Sequence, residues 1–382
     1  MSAGTAANRP LRAGIVGGGR GAFIGAVHRI AAELDAEARV VAGAMSSDPD
    51  TARASAAEWN LERSYDSFGD MAREEAGLED GIDFVIVATP NNLHAPVANA
   101  FLDAGVHVIC DKPLAGSLEQ AETIAAAVKR SGRLFGLTQV YTGYPMVREA
   151  RDFVLAGRLG ELRKVQVEYN QDWLKDPIEK EGNKQAQWRT DPERSGISCC
   201  VGDIGTHAQN LLEFITDRNV ESICAELTSF VADRALDDDA SMLLRLEGGA
   251  RGTLVSSQIA CGEENALTIR LYGTDAGLEW HQQEPNTLIV KPGGRPWERW
   301  RAGTGYLSDS AQQATRTPAG HPEGYLESFA NIYRDFIADV HRVDAGDAPL
   351  ANYPGVDEGL RSMRFVDAAV RSSAQGAVWV SV

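Results

Sequence analysis

The chain has 382 residues, 43% hydrophobic and 24% charged, the composition of an ordinary globular protein long enough for two cores. Its formal net charge of −17 argues against a nucleic-acid partner, which asks for a basic face, and against an anionic membrane surface. No apolar run approaches the roughly 18 residues that span a bilayer. The five cysteines show neither CxxC nor metal-site spacing, so no metal is expected and a reduced, cytoplasmic protein is the reading.

Residues 1–10, MSAGTAANRP, lack the apolar centre of a signal peptide and read as a loose tail. From Leu11 the sequence LRAGIVGGGRGAFIGAVHRIAAEL describes a strand through Val16, a glycine turn, and an amphipathic helix from about Ile24. Glycines let a pyrophosphate approach the backbone, and the helix N-terminus offers N–H donors and a favourable dipole. Gly17 and Gly19 fit a GxGxxG spacing, with Arg20 inside the turn. The third position is Ala22, an allowed variant; Gly25 comes three residues later and would fit a lengthened loop equally well.

The second strand, Arg39 to Ala44, should lead to the residue that reads the adenosine ribose. An acid there favours NAD and an arginine NADP, but Ser46 or Ser47 holds that place and Asp48 comes late, as a cap. NAD is preferred, and NADP is not excluded. Helical patterns at 50–60, 67–76, 93–104 and 117–131 alternate with strands at 82–88, 106–110 and 134–138. That alternation predicts a parallel sheet with helices on both faces and right-handed crossovers.

Within it, the apolar run Phe84–Ala88 ends at Thr89-Pro90-Asn91, and Val106–Cys110 ends at Asp111-Lys112-Pro113. Ligands of such sheets bind beyond the carboxyl ends of the strands. Lys112 therefore stands where cofactor and substrate meet, a catalytic position.

After Gln139 the composition changes. A helix is predicted over 145–156, then strands at 162–170, 221–231, 240–247, 251–260, 266–273, 277–281 and 286–290, read as an open antiparallel sheet. The fold class is thus α/β plus α+β: a doubly wound Rossmann domain over 1–140 and a substrate-binding and oligomerisation domain over 141–382, its last helix free to pack back on the first. The sheet needs one face covered by helices or by another subunit, so a homo-oligomer, dimer or tetramer, is expected.

Between those strands, Asp203 and His207 are four apart and would share a helix face. An Asp near a His suits a general acid–base; an N-cap with a core histidine is the plainer alternative. The stretch 170–191 mixes Trp173 and Trp188 with Lys175, Lys184 and Arg189. It suits a sugar carrying an acid group, or is simply a solvated loop. His28 is expected to pack on the first helix and His107 in a strand, while His321 heads a helix, as a cap or in the substrate pocket.

Taken together, the glycine turn at 17–25, Thr89-Pro90-Asn91 with His94, the Asp111-Lys112-Pro113 triplet, Pro145 through Gly160 and Asp203-x-x-x-His207 resemble the Gfo/Idh/MocA family of nicotinamide-dependent sugar and polyol oxidoreductases. The likeness covers nearly the whole chain. The family usually has Glu-Lys-Pro, so Asp111 is a conservative departure. The resemblance implies that Lys112 hydrogen-bonds the reacting hydroxyl, His207 takes its proton, and Asp203 positions substrate and imidazole. It implies that Thr89, Pro90, Asn91 and His94 line the nicotinamide side, with Asp111, Gln139 and the Trp188–Arg189 pair in the cofactor set.

The family's usual arginine after the first domain is replaced here by Thr142, which alters a pocket to which Tyr141, Tyr144, Trp173, Lys175 and His321 are assigned. The activity implied is hydride removal from a ring hydroxyl of a carbohydrate or polyol. One alternative is a redox-neutral, sulfoquinovosidase-like glycosidase working by transient C3 oxidation, elimination, water addition and re-reduction. A non-catalytic dinucleotide sensor, which predicts a broken catalytic set, ranks last.

Overall fold

The computed structural model describes residues 9–382, so positions 1–8 of the expected loose tail lie outside the described residues. The first half alternates β1 (Leu11–Gly17), α1 (Phe23–Glu33), β2 (Ala38–Ala44), α2 (Pro49–Glu58), β3 (Arg63–Ser64) and α3 (Phe68–Glu75). It continues with β4 (Phe84–Ala88), α4 (His94–Asp103), β5 (His107–Cys110), α5 (Leu118–Ser131) and β6 (Phe135–Leu137). Every residue of β4 is buried, as a central strand covered on both faces requires. Asp48, Ser67 and Ser117 accept backbone N–H bonds and start α2, α3 and α5.

These strands pair in parallel in the order β3-β2-β1-β4-β5-β6. The order reverses between β1 and β4, which opens a crevice beyond their carboxyl ends. The glycine turn, Thr89–Asn91 and Asp111–Lys112 all leave the sheet at that edge.

The second half begins with α6 (Pro145–Leu155), β7 (Leu162–Asn170), α7 (Lys184–Arg189), α8 (Pro192–Ser195) and α9 (Thr206–Thr216). Then follow β8 (Val220–Thr228), β9 (Asp239–Leu246), β10 (Arg251–Ser257), β11 (Ala266–Gly273), β12 (Ala276–His281), β13 (Thr287–Pro292) and β14 (Glu298–Arg301). The chain closes with α10 (Asp309–Gln313), α11 (Tyr325–Asp344), α12 (Val356–Ala374) and β15 (Val380–Ser381). The nine-stranded sheet runs β14-β13-β12-β11-β7-β10-β9-β8-β15.

This sheet is mixed rather than wholly antiparallel, because β7 and β10 pair in parallel at its centre. The segment between β7 and β8 carries α7, α8 and α9, and so brings Asp203 and His207 over the end of that pair before β8 and β9 lead back to β10. Strands β3, β14 and β15 were not anticipated; runs this short show no clear period-2 alternation. Val165, Val167 and Tyr169 of β7 and Leu267, Ile269 and Leu271 of β11 point to one buried face, against which α6 and α9 pack.

The opposite face carries Glu168, Arg270, Glu279 and Lys291 as a charged ladder, and Leu243 there is 51% exposed. Two late helices return to the first sheet: α11 packs on α1, and α12 lies against both α5 and β8. Among the described residues, no helix is long and apolar enough to cross a membrane.

Candidate active site

The crevice is a cavity of about 1200 Å³ that runs from the glycine turn to His207. Three glycines set its phosphate end: Gly17, Gly18 and Gly21 hold positive φ, which other residues rarely adopt. A Cβ on Gly25 would stand 2.1 Å from the Gly18 carbonyl oxygen, so α1 can cross the turn only because this position is bare. Gly25 thus performs the close-packing role of the third glycine without reaching the cavity, whereas Ala22 is the N-cap and lines it. The first turn of α1 has neither a side-chain cap nor an acidic residue, which suits an anion such as a pyrophosphate. Arg20 also lines the turn but is paired with Glu58.

Ser46 and Ser47 line the far end, and Asp48 is turned away to cap α2. Thr89, Pro90 and Asn91 line the middle; Asn91 also donates to the Ser195 carbonyl at 2.9 Å and ties the crossover to the first sheet. His94 is fully buried behind them, its Nδ1 2.7 Å from Pro113 O and its Nε2 2.9 Å from Thr89 O, so the neutral ring donates to one carbonyl or the other. It stands between the two strand-end loops and is not among the residues that line the cavity. Gln139 is likewise enclosed and does not line the cavity.

At the inner end, Lys112 Nζ donates to Asp203 Oδ1 at 2.5 Å and to the Asp203 carbonyl at 2.9 Å. Gln258 Nε2 donates to Asp203 Oδ2 at 2.9 Å, and Arg189 Nε lies 3.3 Å from the same oxygen as an ion pair, not aligned as a hydrogen bond. Burial would raise the Asp203 carboxyl, but Lys112 and Arg189 overcome it and hold it well below the usual carboxylate range.

The expected Asp203–imidazole contact is not formed. Residues 201–205 make a π-turn, Thr206 N bonding Val201 O, and this wider turn leaves the carboxylate facing Lys112. His207 lines the cavity, its Nδ1 enclosed without a partner and its ring against the Tyr141 edge at 4.8 Å. Burial, and then Lys112, push His207 well below the ordinary histidine value, so at neutral pH the ring is an uncharged proton acceptor.

Asp111 lines the cavity and accepts from its neighbour's backbone, Lys112 N, and from Thr138 Oγ1 at 3.0 Å. His28, on α1, faces Tyr333 at 2.7 Å and lies 3.8 Å from Asp111.

Beside His207 the cavity is walled by Tyr141, Tyr169, Gln171, Trp173 and Asn265. Tyr141 OH meets Tyr169 OH, which donates to Asn265 Oδ1 at 2.7 Å, while Gln171 Nε2 reaches the same oxygen at 2.6 Å. Sequence reasoning missed Tyr169, Gln171, Asn265 and Gln258, which sit at strand ends or in a turn with no motif around them.

Three substrate candidates lie elsewhere. Tyr144 is buried behind Tyr141 and packs on Trp280. Lys175 pairs with Asp172 on the surface, and His321 is an exposed turn residue facing Pro318 O. Trp188 and Arg189 do line the cavity, the guanidinium stacked 4.2 Å over the Trp188 ring.

Residues 11–139 match the model of the oxidoreductase family with an NAD-binding Rossmann fold, and 147–279 match the GFO/IDH/MocA C-terminal domain. The uncharacterised oxidoreductase YfiI of Bacillus subtilis (strain 168) is 34% identical over 381 residues, covering 98% of this chain and 97% of its own. An inositol dehydrogenase homolog from Azotobacter vinelandii, solved with NAD+, superposes with a TM-score of 0.94 at 36% identity over 98% of each chain. The same homolog has been solved with NADH and myo-inositol. An oxidoreductase from Sinorhizobium meliloti is 45% identical, with a TM-score of 0.87 over 98% of this chain and 100% of its own.

Proposed function

This chain belongs to the GFO/IDH/MocA family of NAD-binding oxidoreductases, and from that premise we propose that it removes hydride from a secondary ring hydroxyl of a sugar, sugar derivative or polyol. The observation that carries the proposal is the Lys112–Asp203 pair, set beside an uncharged His207 at the inner end of a cavity that begins at the glycine turn. When bound, the nicotinamide supplies the hydride acceptor. An ammonium has three N–H donors, and Lys112 spends two on Asp203, which leaves one for the substrate oxygen. His207 takes the hydroxyl proton, and the Asp203 carboxylate offsets the positive charge that then arises beside Lys112.

Of the cations in the 170–191 stretch, Lys175 is paired with Asp172, Lys180 with Asp233 and Arg189 with Asp203, whereas Lys184 lines the cavity with no ion pair among the described residues, so the lining suits a substrate with or without an acid group. The solved complex of the Azotobacter homolog with myo-inositol supports a cyclic polyol. NAD rather than NADP fits the adenosine end, where Arg20 is paired with Glu58 and Arg53 with Asp50 and Asp66.

The test is to incubate the protein with NAD+ and a panel of polyols, hexoses and sulfonated glycosides while following NADH and aglycone together. One NADH per substrate consumed is the expected result; aglycone release on catalytic NAD+ would contradict it. The open sheet face, with Leu243 exposed beside its charged ladder, supports a homo-oligomer, and a sedimentation mass equal to one chain would refute it.

A further inference from the structure

Asp203 is a buried carboxylate whose two oxygens do different work. Oδ1 faces Lys112, whereas Oδ2 faces inward, where its aligned hydrogen bond comes from the Gln258 amide. Gln258 is 0% exposed and is held at both backbone groups, its N–H donating to Asp238 O at 2.9 Å and its carbonyl accepting from Leu174 N at 3.0 Å. Its side-chain amide is oriented as well. Cys199 Sγ donates to Oε1 at 3.4 Å, which leaves the NH2 end to face Asp203. Burial raises the Cys199 thiol well above its ordinary value, so it stays a protonated donor. Gln258 does not line the cavity and directly follows β10, the strand paired in parallel with β7.

From this we infer that Gln258 is a positioning residue: its amide, oriented by the Cys199 thiol, fixes the Asp203 carboxylate so that Oδ1 holds the Lys112 ammonium toward the substrate. The inference rests on the dehydrogenase reading of the site.

Three variants test it. Gln258→Met keeps the length and removes the donor; kcat should fall about ten- to a hundredfold, the size of a hydrogen bond to a charged group, with the NAD+ Kd unchanged. Gln258→Glu places a second carboxyl against Asp203 Oδ2, beside which Arg189 Nε already lies at 3.3 Å, and a like charge this close raises the introduced carboxyl. When protonated, the introduced carboxyl donates as the amide did; when ionised, it repels. The activity of Gln258→Glu relative to wild type should therefore be highest at low pH and fall as pH rises, a signature that a packing defect alone does not produce.

The third variant needs no cofactor. Asp203→Asn combined with Gln258→Glu reverses donor and acceptor, and its apo Tm at neutral pH should exceed that of Gln258→Glu alone. A Gln258→Met enzyme within twofold of wild-type kcat, a pH-independent activity ratio, or no Tm recovery in the double variant would each overturn the inference. If the wild type reduces NAD+ with no substrate of the panel, the function reading itself fails and this inference falls with it.

Discussion

At the scale of single residues, the chemistry depends on which charges are kept and which are refused. Lys112 and Arg189 hold the Asp203 carboxyl below its usual range, while burial keeps His207 neutral next to them. Because the folded value of His207 is depressed, its base form persists on acidification past the ordinary histidine range. The acid limb of kcat/KM should accordingly lie below pH ~6.5, the unperturbed histidine value. His207→Ala should lower kcat by about 10²–10⁴, the usual worth of a positioned base. An acid limb above that value, or near-wild-type turnover in the variant, would remove His207 from the role.

Lys112, Asp203 and His207 were legible because two signals mark them, a strand end and a four-residue spacing. Gln258 was not. It falls inside what reads as one strand over 251–260, where an amide looks like any outward-facing polar residue until the strand is seen to stop at Ser257.

At the scale of elements, the alternation of strand and helix was plain in the hydrophobic pattern, and the carboxyl-end crevice followed from it. Two features were hidden. An extra residue in a helical turn leaves no mark on composition, so the π-turn over 201–205 escaped notice, and with it the turning of Asp203 toward Lys112. A loop lengthened by three residues also defeated strict motif spacing, which left Ala22 and Gly25 as rivals. The contact between α1 and the turn decides for Gly25.

Gly25→Ala must push α1 away from Gly18 and so spoil the anion-binding end. Calorimetric titration should show NAD+ affinity reduced by tenfold or more, given that a misplaced helix N-terminus loses aligned donors and dipole together. Ala22→Gly, by contrast, should bind nearly as wild type. Equal affinities for wild type and Gly25→Ala would mean that the turn does not cradle the cofactor. The one parallel pair in the otherwise antiparallel second sheet was hidden for a similar reason, since strand patterning shows alternation but not the direction of the neighbour.

At the scale of the whole molecule, α11 and α12 bind the two sheets into one body, and the proposed catalytic set draws on both: Lys112 from the first, Asp203 and His207 from the segment between β7 and β8 of the second. Burial makes this body sensitive to acid. His28 and His107 are pushed down to about 4, and His94 and His207 are lowered too, burial being the main cause in each. Histidines with depressed folded values favour the fold above the unfolded value near ~6.5 and lose that contribution as pH falls toward 4, at up to about 1.4 kcal/mol per pH unit for each. Urea midpoints should therefore drop between those limits, with a shallower slope in His28→Gln; a flat profile would show that these rings are not held neutral.

The central claim is that Lys112 acts on substrate beside a bound dinucleotide. Its most direct test is Lys112→Met, measured for NAD+ affinity by calorimetry and for hydride transfer in a single turnover with a polyol oxidised by the wild type. Nearly unchanged NAD+ binding with hydride transfer slowed at least a hundredfold is the predicted result, in line with the loss of a donor that stabilises developing charge. Unimpaired hydride transfer in Lys112→Met would contradict it.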